Sequence, residues 1–105
     1  MAIYIQSTLE LRPGDMTRFN GVMSDLVRIV EAEGWQLVTA VSQISGRLHT
    51  AIDLWLIDDM NHYLKGVAVL QAHPNFAEMS RVLAETIERE TLVFGVRAPW
   101  VPEGR

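Results

Sequence analysis

The feature that most constrains this chain is the order in which its hydrophobic periodicity changes. Over residues 2–11 apolar and polar side chains alternate: Ile3, Ile5, Leu9 and Leu11 share one parity, and Tyr4, Gln6, Thr8 and Glu10 the other. A period of two is that of a half-buried strand. Pro13-Gly14-Asp15 breaks it, with Asp15 placed to cap a helix. Over residues 16–33 the apolar positions Phe19, Val22, Met23, Leu26, Ile29 and Val30 have helical spacing, and Gly34 stands where a helix-ending glycine belongs. Residues 35–44 read as a second strand, Ser45-Gly46-Arg47 as a turn, and residues 48–57 as a third strand completing a hairpin. Asp58 or Asp59 caps a second helix carrying Met60, Tyr63, Leu64, Val67 and Leu70 on one side. His73-Pro74-Asn75 interrupts that helix, since proline lacks a donor but suits the first turn of a new segment. The new segment carries Phe76, Met79, Val82, Leu83 and Ile87, and a fourth strand spans about residues 91–97.

The resulting order, β-α-β-β-α-β with the second helix in two pieces, predicts an α+β fold of ferredoxin-like type. Four antiparallel strands carry the helices on one face and leave the other open. The chain of 105 residues is one domain, 1–105, with a tail at 98–105 that Pro99 and Pro102 keep from extending the last strand. A hydrophobic content of 49% against 21% charged residues is that of a globular protein.

Strand parity bears on assembly. Ile3/Ile5/Leu9, Ile52/Leu54/Leu56 and Leu92/Phe94/Val96 are the clearly apolar rows and are expected to meet the helices. The opposite parity mixes Tyr4, Gln6, Val38, Ala40, His49, Ala51, Asp53, Trp55, Val93 and Arg97. Such a face is too apolar for solvent and too polar for a closed core. It suits a cavity lining closed by a second copy, so a homodimer is expected. The second strand is ambiguous, because Leu37 and Val41 share their side with Thr39.

The formal charge of −4, with no cluster of Lys or Arg, gives no nucleic-acid footprint. The absence of cysteine excludes disulfides, thiol catalysis and Cys-ligated metals. The N-terminal Met-Ala-Ile-Tyr-Ile-Gln has no basic segment preceding an apolar run, and no stretch approaches the roughly 20 apolar residues that cross a bilayer. A soluble, cytoplasmic protein without membrane association is expected.

The stretch Ile52-Asp53-Leu54-Trp55-Leu56-Ile57-Asp58-Asp59, the helix after it, the His73-Pro74-x-Phe76 break and the terminal Arg97-Ala98-Pro99-Trp100 resemble the NIPSNAP branch of the dimeric α+β barrel superfamily. The resemblance runs in order over nearly the whole chain. It implies two ferredoxin-like sheets paired into a barrel, with a pocket between sheet and helices or inside each half-barrel. The wider superfamily includes cofactor-free monooxygenases, aromatic and polyketide cyclases, muconolactone-type isomerases and haem enzymes. The NIPSNAP branch has little assigned chemistry, so the resemblance bears on fold more than on function.

Candidate chemistry gathers on the mixed parity. His49, Asp53 and Trp55 share one side of the third strand. Residues two apart lie about 7 Å from Cα to Cα, so His49 and Asp53 form no direct dyad, but either can reach a ligand. Histidine oriented by a carboxylate is the usual general base for carbon acids and phenols. The competing reading is a solvent His49 and an Asp53 paired at the dimer seam, with Arg97 as partner. Tyr4 and Gln6 can hold a carbonyl or enolate oxygen, and Tyr4 can equally be a packing residue at the rim. Trp35 and Trp55 can wall a slot for an aromatic, although core packing is the commoner use of tryptophan. Val38 and Arg97 complete the substrate-binding set, with His73 either capping the helix break or sitting at the pocket mouth. His62, beside the inward Tyr63, is expected to face solvent.

Three histidines without HxxxH or HxH spacing give no zinc site, a lone histidine is a weak haem signal, and scattered glycines form no phosphate loop. No cofactor is therefore expected. The function expected is a cofactor-free enzyme of cyclase or isomerase type, moving a proton on an aromatic or polyketide-like metabolite. The alternatives are a cofactor-independent monooxygenase, and a non-catalytic homodimeric module for ligand binding or assembly.

Overall fold

The computed structural model describes residues 1–14 and 16–105, so the expected cap Asp15 lies outside the described residues. The elements are β1 (Ile3–Leu11), α1 (Met16–Glu31), β2 (Gln36–Ser42), β3 (Thr50–Ile57), α2 (Met60–Ala72), α3 (Phe76–Thr86) and β4 (Ile87–Gly95). The strands form one antiparallel sheet in the order β2-β3-β1-β4. This is the expected ferredoxin-like arrangement, with the helix between β3 and β4 broken in two.

Local chemistry sets the boundaries. Gly34 adopts φ +92°, and the Gly34 and Trp35 amides donate to the Glu31 and Val30 carbonyls at 2.9 and 3.2 Å. That pair of bonds is a Schellman cap, which ends α1 and delivers Trp35 to the core. Of the two aspartates offered as caps for α2, Asp59 serves: its carboxylate accepts the His62 amide at 2.8 Å. At the break, His73 Nδ1 accepts the Asn75 amide at 3.1 Å, so this histidine shapes the turn before α3. One Nη of Arg12 donates to the carbonyls of Ala84, Glu85 and Ile87 at 3.2, 3.3 and 2.7 Å. This guanidinium satisfies the C-terminus of α3 and turns the chain straight into β4. β4 therefore starts at Ile87, which pairs with Leu11, and Ile87 is a strand residue rather than the end of a helix.

The core lies between the helices and the central strands. One cluster joins Ile5, Val30, Trp35, Trp55 and Ile57, and a second joins Leu9, Leu11 and Phe19. Phe76 stays half-buried outside both clusters, and Met60 and Leu64 are exposed, so α2 and α3 bury narrower stripes than their apolar content suggests.

Strand parity departs from expectation in β3. Ile3 faces Ile57, Ile5 faces Trp55 and Ser7 faces Asp53 across the ladder, so Asp53, Trp55 and Ile57 point at the helices. Ile52, Leu54 and Leu56 lie on the open face instead. The reason is that 51–57 is apolar at nearly every position, so its own alternation does not choose a face. The register with β1 chooses, and burial of the large Trp55 ring against Val30 and Trp35 fixes it. In β2 an irregularity between Leu37 and Thr39 resets the parity, putting Leu37 opposite Trp55 and, beyond it, Ala40 opposite Asp53. In β4, Leu92 and Phe94 pair with Ser7 and Ile5 on the helix side as expected, though both remain substantially exposed on this edge strand.

The open face is consequently more apolar than the sequence implied. Tyr4, Val38, Val41, Ile52, Leu54, Leu56 and Val93 lie there, with Val41 52% and Val93 54% exposed. No described helix is long and apolar enough to cross a membrane.

Candidate functional site

Between the helix layer and the sheet lies a cavity of about 150 Å³. Its floor comes from the helix-side row of β1 (Ile5, Ser7, Leu9) and its roof from Met23, Val30, Tyr63, Val67 and Leu83 of the three helices. Trp35 and Trp55 form one end, and Glu90 and Leu92 of β4 form the opposite edge.

The tryptophan end is rigidly built. The Trp35 ring meets Trp55 edge-on at 5.6 Å and stacks on Tyr63 at 5.6 Å, and Tyr63 meets Phe94 edge-on at 5.1 Å. The Trp35 indole N–H donates to the His62 carbonyl at 3.2 Å. Gly66 of α2 lets the ring in, because a Cβ there would stand 2.3 Å from Trp35 Nε1. His62 does not face solvent as expected: its side chain is 11% exposed, Nδ1 accepts the Asp58 amide at 3.0 Å, and Nε2 lies 2.7 Å from the Glu33 carbonyl. With Nδ1 accepting, Nε2 carries the proton and donates to Glu33. His62 thus clasps the start of α2 to the turn before β2 and supports the Trp35 wall.

Asp53 is the chemical anomaly of the cavity. The residue is 5% exposed, and among the described residues its carboxylate has no hydrogen-bond or ion-pair partner. Burial pushes its pKa above the ordinary carboxylate value, because the charged form is poorly solvated there. Ser7, its cross-strand neighbour, is also buried, and its hydroxyl likewise has no protein partner among the described residues. Asp53 and Met23 also border a groove of about 510 Å³ between α1 and β2, so together they separate the cavity from this outer groove.

The nine residues expected to form one site fall into four places. Asp53, Trp35 and Trp55 meet in the cavity. Tyr4, Gln6, Val38 and Arg97 line a separate hollow of about 380 Å³ on the open face beneath the C-terminal tail. There Arg97 donates to the Val101 and Pro102 carbonyls at 3.5 and 2.6 Å, which pins the tail and leaves no pairing with Asp53. His49 precedes β3 in the left-handed region at φ +61°, is exposed, and borders a groove with Leu11, Met16 and Phe19. It is neither on the strand nor on the side of Asp53. His73 lies by a fourth, shallow groove with Asp25, Arg28 and Met79. The expected convergence of His49, Asp53 and Tyr4 fails because β3 presents its odd residues to the helices and β1 its even residues to the open face. Among the described residues no three potential metal ligands come together.

Sequence reasoning missed Ser7, Met23, Tyr63 and Glu90 as cavity residues. Ser7 carried a readable signal, as the one polar residue in the apolar row Ile3/Ile5/Leu9/Leu11 of β1.

No family model matches the chain, and no curated protein matches it in sequence. Solved structures do match in fold. A NIPSNAP domain protein from Burkholderia xenovorans is 23% identical with TM-score 0.77, covering 98% of this chain and 100% of that one. A NIPSNAP family protein from Agrobacterium tumefaciens is 14% identical with TM-score 0.84, covering 98% and 99%. SnoaB, a cofactor-independent oxygenase from Streptomyces nogalater, is 12% identical with TM-score 0.75, covering 97% and 98%. The chain therefore shares end to end the ferredoxin-like fold of NIPSNAP domain proteins and of a cofactor-independent oxygenase, as the sequence resemblance implied. At these identities the likeness speaks to fold alone.

Proposed function

We propose that this protein is a homodimeric, cofactor-free enzyme that moves a proton on a small, largely apolar aromatic or polyketide-like metabolite, with Asp53 as the acid–base group. The observation that carries this reading is a buried carboxyl group, without a partner among the described residues, in a largely apolar cavity walled by Trp35, Trp55 and Tyr63. An unpaired buried carboxylate is costly to keep and serves no packing purpose. Its raised pKa makes its carboxylate a stronger base than an ordinary one. In the reaction the Asp53 carboxylate removes a proton from a C–H or O–H of the substrate, leaving an enolate or phenolate. Asp53, after exchanging its proton with solvent, delivers a proton to another atom in an isomerisation or cyclisation. Ser7 lies across the ladder, placed to donate to the developing oxyanion. His49 and Tyr4 have no part in this chemistry.

A second reading comes from the shared fold with SnoaB. The substrate carbanion formed at Asp53 would then attack dioxygen instead of being reprotonated. The two are separated by one experiment. A panel of small enolisable aromatic ketones is incubated with protein in D₂O, with deuterium incorporation followed by NMR and dioxygen uptake by electrode. Proton transfer alone gives exchange without uptake, and oxygenation gives uptake, with exchange only to the extent that the carbanion is reprotonated before dioxygen reacts. Asp53→Asn should slow either by roughly 10²–10⁴-fold. Exchange at the wild-type rate in that variant would refute Asp53 as the base, and wild-type protein that gives neither exchange nor uptake above the uncatalysed rate would leave a binding or assembly module as the better reading.

A further inference from the structure

Resting on the reading of this cavity as the ligand site, the geometry points to its selectivity. We propose that the cavity takes an uncharged, one-ring aromatic group bearing an O–H or N–H donor that bonds to Asp53, and that it rejects carboxylates and phosphates of the same size.

Size limits the guest first. A cavity of about 150 Å³ matches the volume that holds a benzene-sized molecule. The flat faces of Trp35, Trp55 and Tyr63 at one end favour a planar ring. The ligand's enclosed part is therefore a single ring, and any larger scaffold must extend out of the cavity, past Met23 into the α1–β2 groove or past the exposed Glu90 and Leu92 of β4.

Polarity limits it further. The lining holds two carboxyl groups, Asp53 and Glu90, and no Lys, Arg or His. The Trp35 indole N–H, a donor of the kind an anion needs, is already spent on the His62 carbonyl. The Ser7 and Tyr63 hydroxyls also line the cavity, but among the described residues neither bonds to Asp53, so its carboxyl group is left without a donor. A ligand bringing one satisfies a group that the protein leaves unpaired, whereas a ligand anion adds like charge in a poorly solvated space.

The test is a titration at about pH 7 with four probes of nearly equal size: phenol, aniline, toluene and benzoate. Binding is read from methyl NMR shifts of Ile5, Val67 and Leu83, which line the cavity. Phenol and aniline should bind at least about tenfold more tightly than toluene, as expected for a hydrogen bond to a charged group, and benzoate should not bind. In Asp53→Leu the order should reverse, with toluene ahead of phenol. Asp53→Asn, which keeps the shape and offers an amide donor, should admit benzoate, and it serves where the leucine variant does not fold. Wild-type protein that binds toluene ahead of phenol, or benzoate as well as phenol, overturns the selectivity while the cavity remains a ligand site. Protein whose cavity methyls respond to none of the four overturns both.

Discussion

Replacing Gly66 by alanine tests the construction of the tryptophan wall. In an exposed helix interior Gly→Ala is stabilising by about 0.5–1 kcal/mol, because alanine loses less backbone entropy. At Gly66 the new Cβ would lie 2.3, 2.5 and 2.7 Å from Nε1, Cε2 and Cζ2 of Trp35, far inside ordinary contact. The ring atoms are rigid, so the whole indole must move, and the space available to it is the cavity. Overpacking of this kind costs about 1–3 kcal/mol, and the displaced indole also loses its bond to the His62 carbonyl, worth about 1 kcal/mol. Set against the helix gain, the net expectation is a loss of about 1–3 kcal/mol. At about 4–8 °C per kcal/mol for a domain near this size, thermal unfolding followed by near-ultraviolet circular dichroism should show a fall of roughly 5–20 °C. The control is Gly21→Ala in α1, where nothing lies within 4 Å of the added carbon, and which should stabilise. Adding Trp35→Phe to Gly66→Ala should recover part of the loss. Stabilisation of Gly66→Ala to the same extent as Gly21→Ala would refute the close approach of α2 and Trp35, and with it the described end of the cavity.

Three further outcomes are expected. Leu54→Glu, which places a charge beside Gln6 and Thr39 in the middle of the open face, should halve the mass seen by light scattering or unfold the chain, since an unpaired buried charge costs about 3–5 kcal/mol; a wild-type monomer would refute the dimer. Asp53→Asn should stabilise the protein at about pH 7 and change little at about pH 3. The folded-state pKa of Asp53 is raised, so the wild type keeps its full stability below the ordinary carboxylate range and loses part of it as pH rises through the raised value; equal shifts at both pH values in thermal melts would contradict this. Asp59→Ala should cost about 1 kcal/mol in urea unfolding by removing the cap from the His62 amide, and no measurable change would show the cap to be ornamental.

The fold was legible because its signals are local and repeated. The period of two in β1, the helical stripe ending at Gly34, the Asp58-Asp59 cap and the Pro74 break each specify an element from neighbouring residues, and the structure has all of them. Boundaries moved where a distant residue decided them. β4 begins at Ile87 rather than four residues later because Arg12, at the other end of the chain, binds the last carbonyls of α3. Nothing in the sequence near Ile87 carries that information.

The site was less legible, and the cause is a single bit of information per strand. In β1 the apolar row is unambiguous and its face was read correctly. In β3 the run Ile52-Asp53-Leu54-Trp55-Leu56-Ile57 offers apolar residues to both faces, and the wholly apolar row Ile52/Leu54/Leu56 reads as the core-facing one, which puts Asp53 and Trp55 on the mixed side. The opposite inference is physically sounder for a central strand. When both faces are apolar, the face that buries the larger ring goes to the core, and Trp55 carries Asp53 with it at a spacing of two. That choice does two things at once. It leaves Ile52, Leu54 and Leu56 on the open face, which strengthens the case for a second copy covering it. It also leaves the Asp53 carboxyl group, without a partner among the described residues, lining the cavity between sheet and helices.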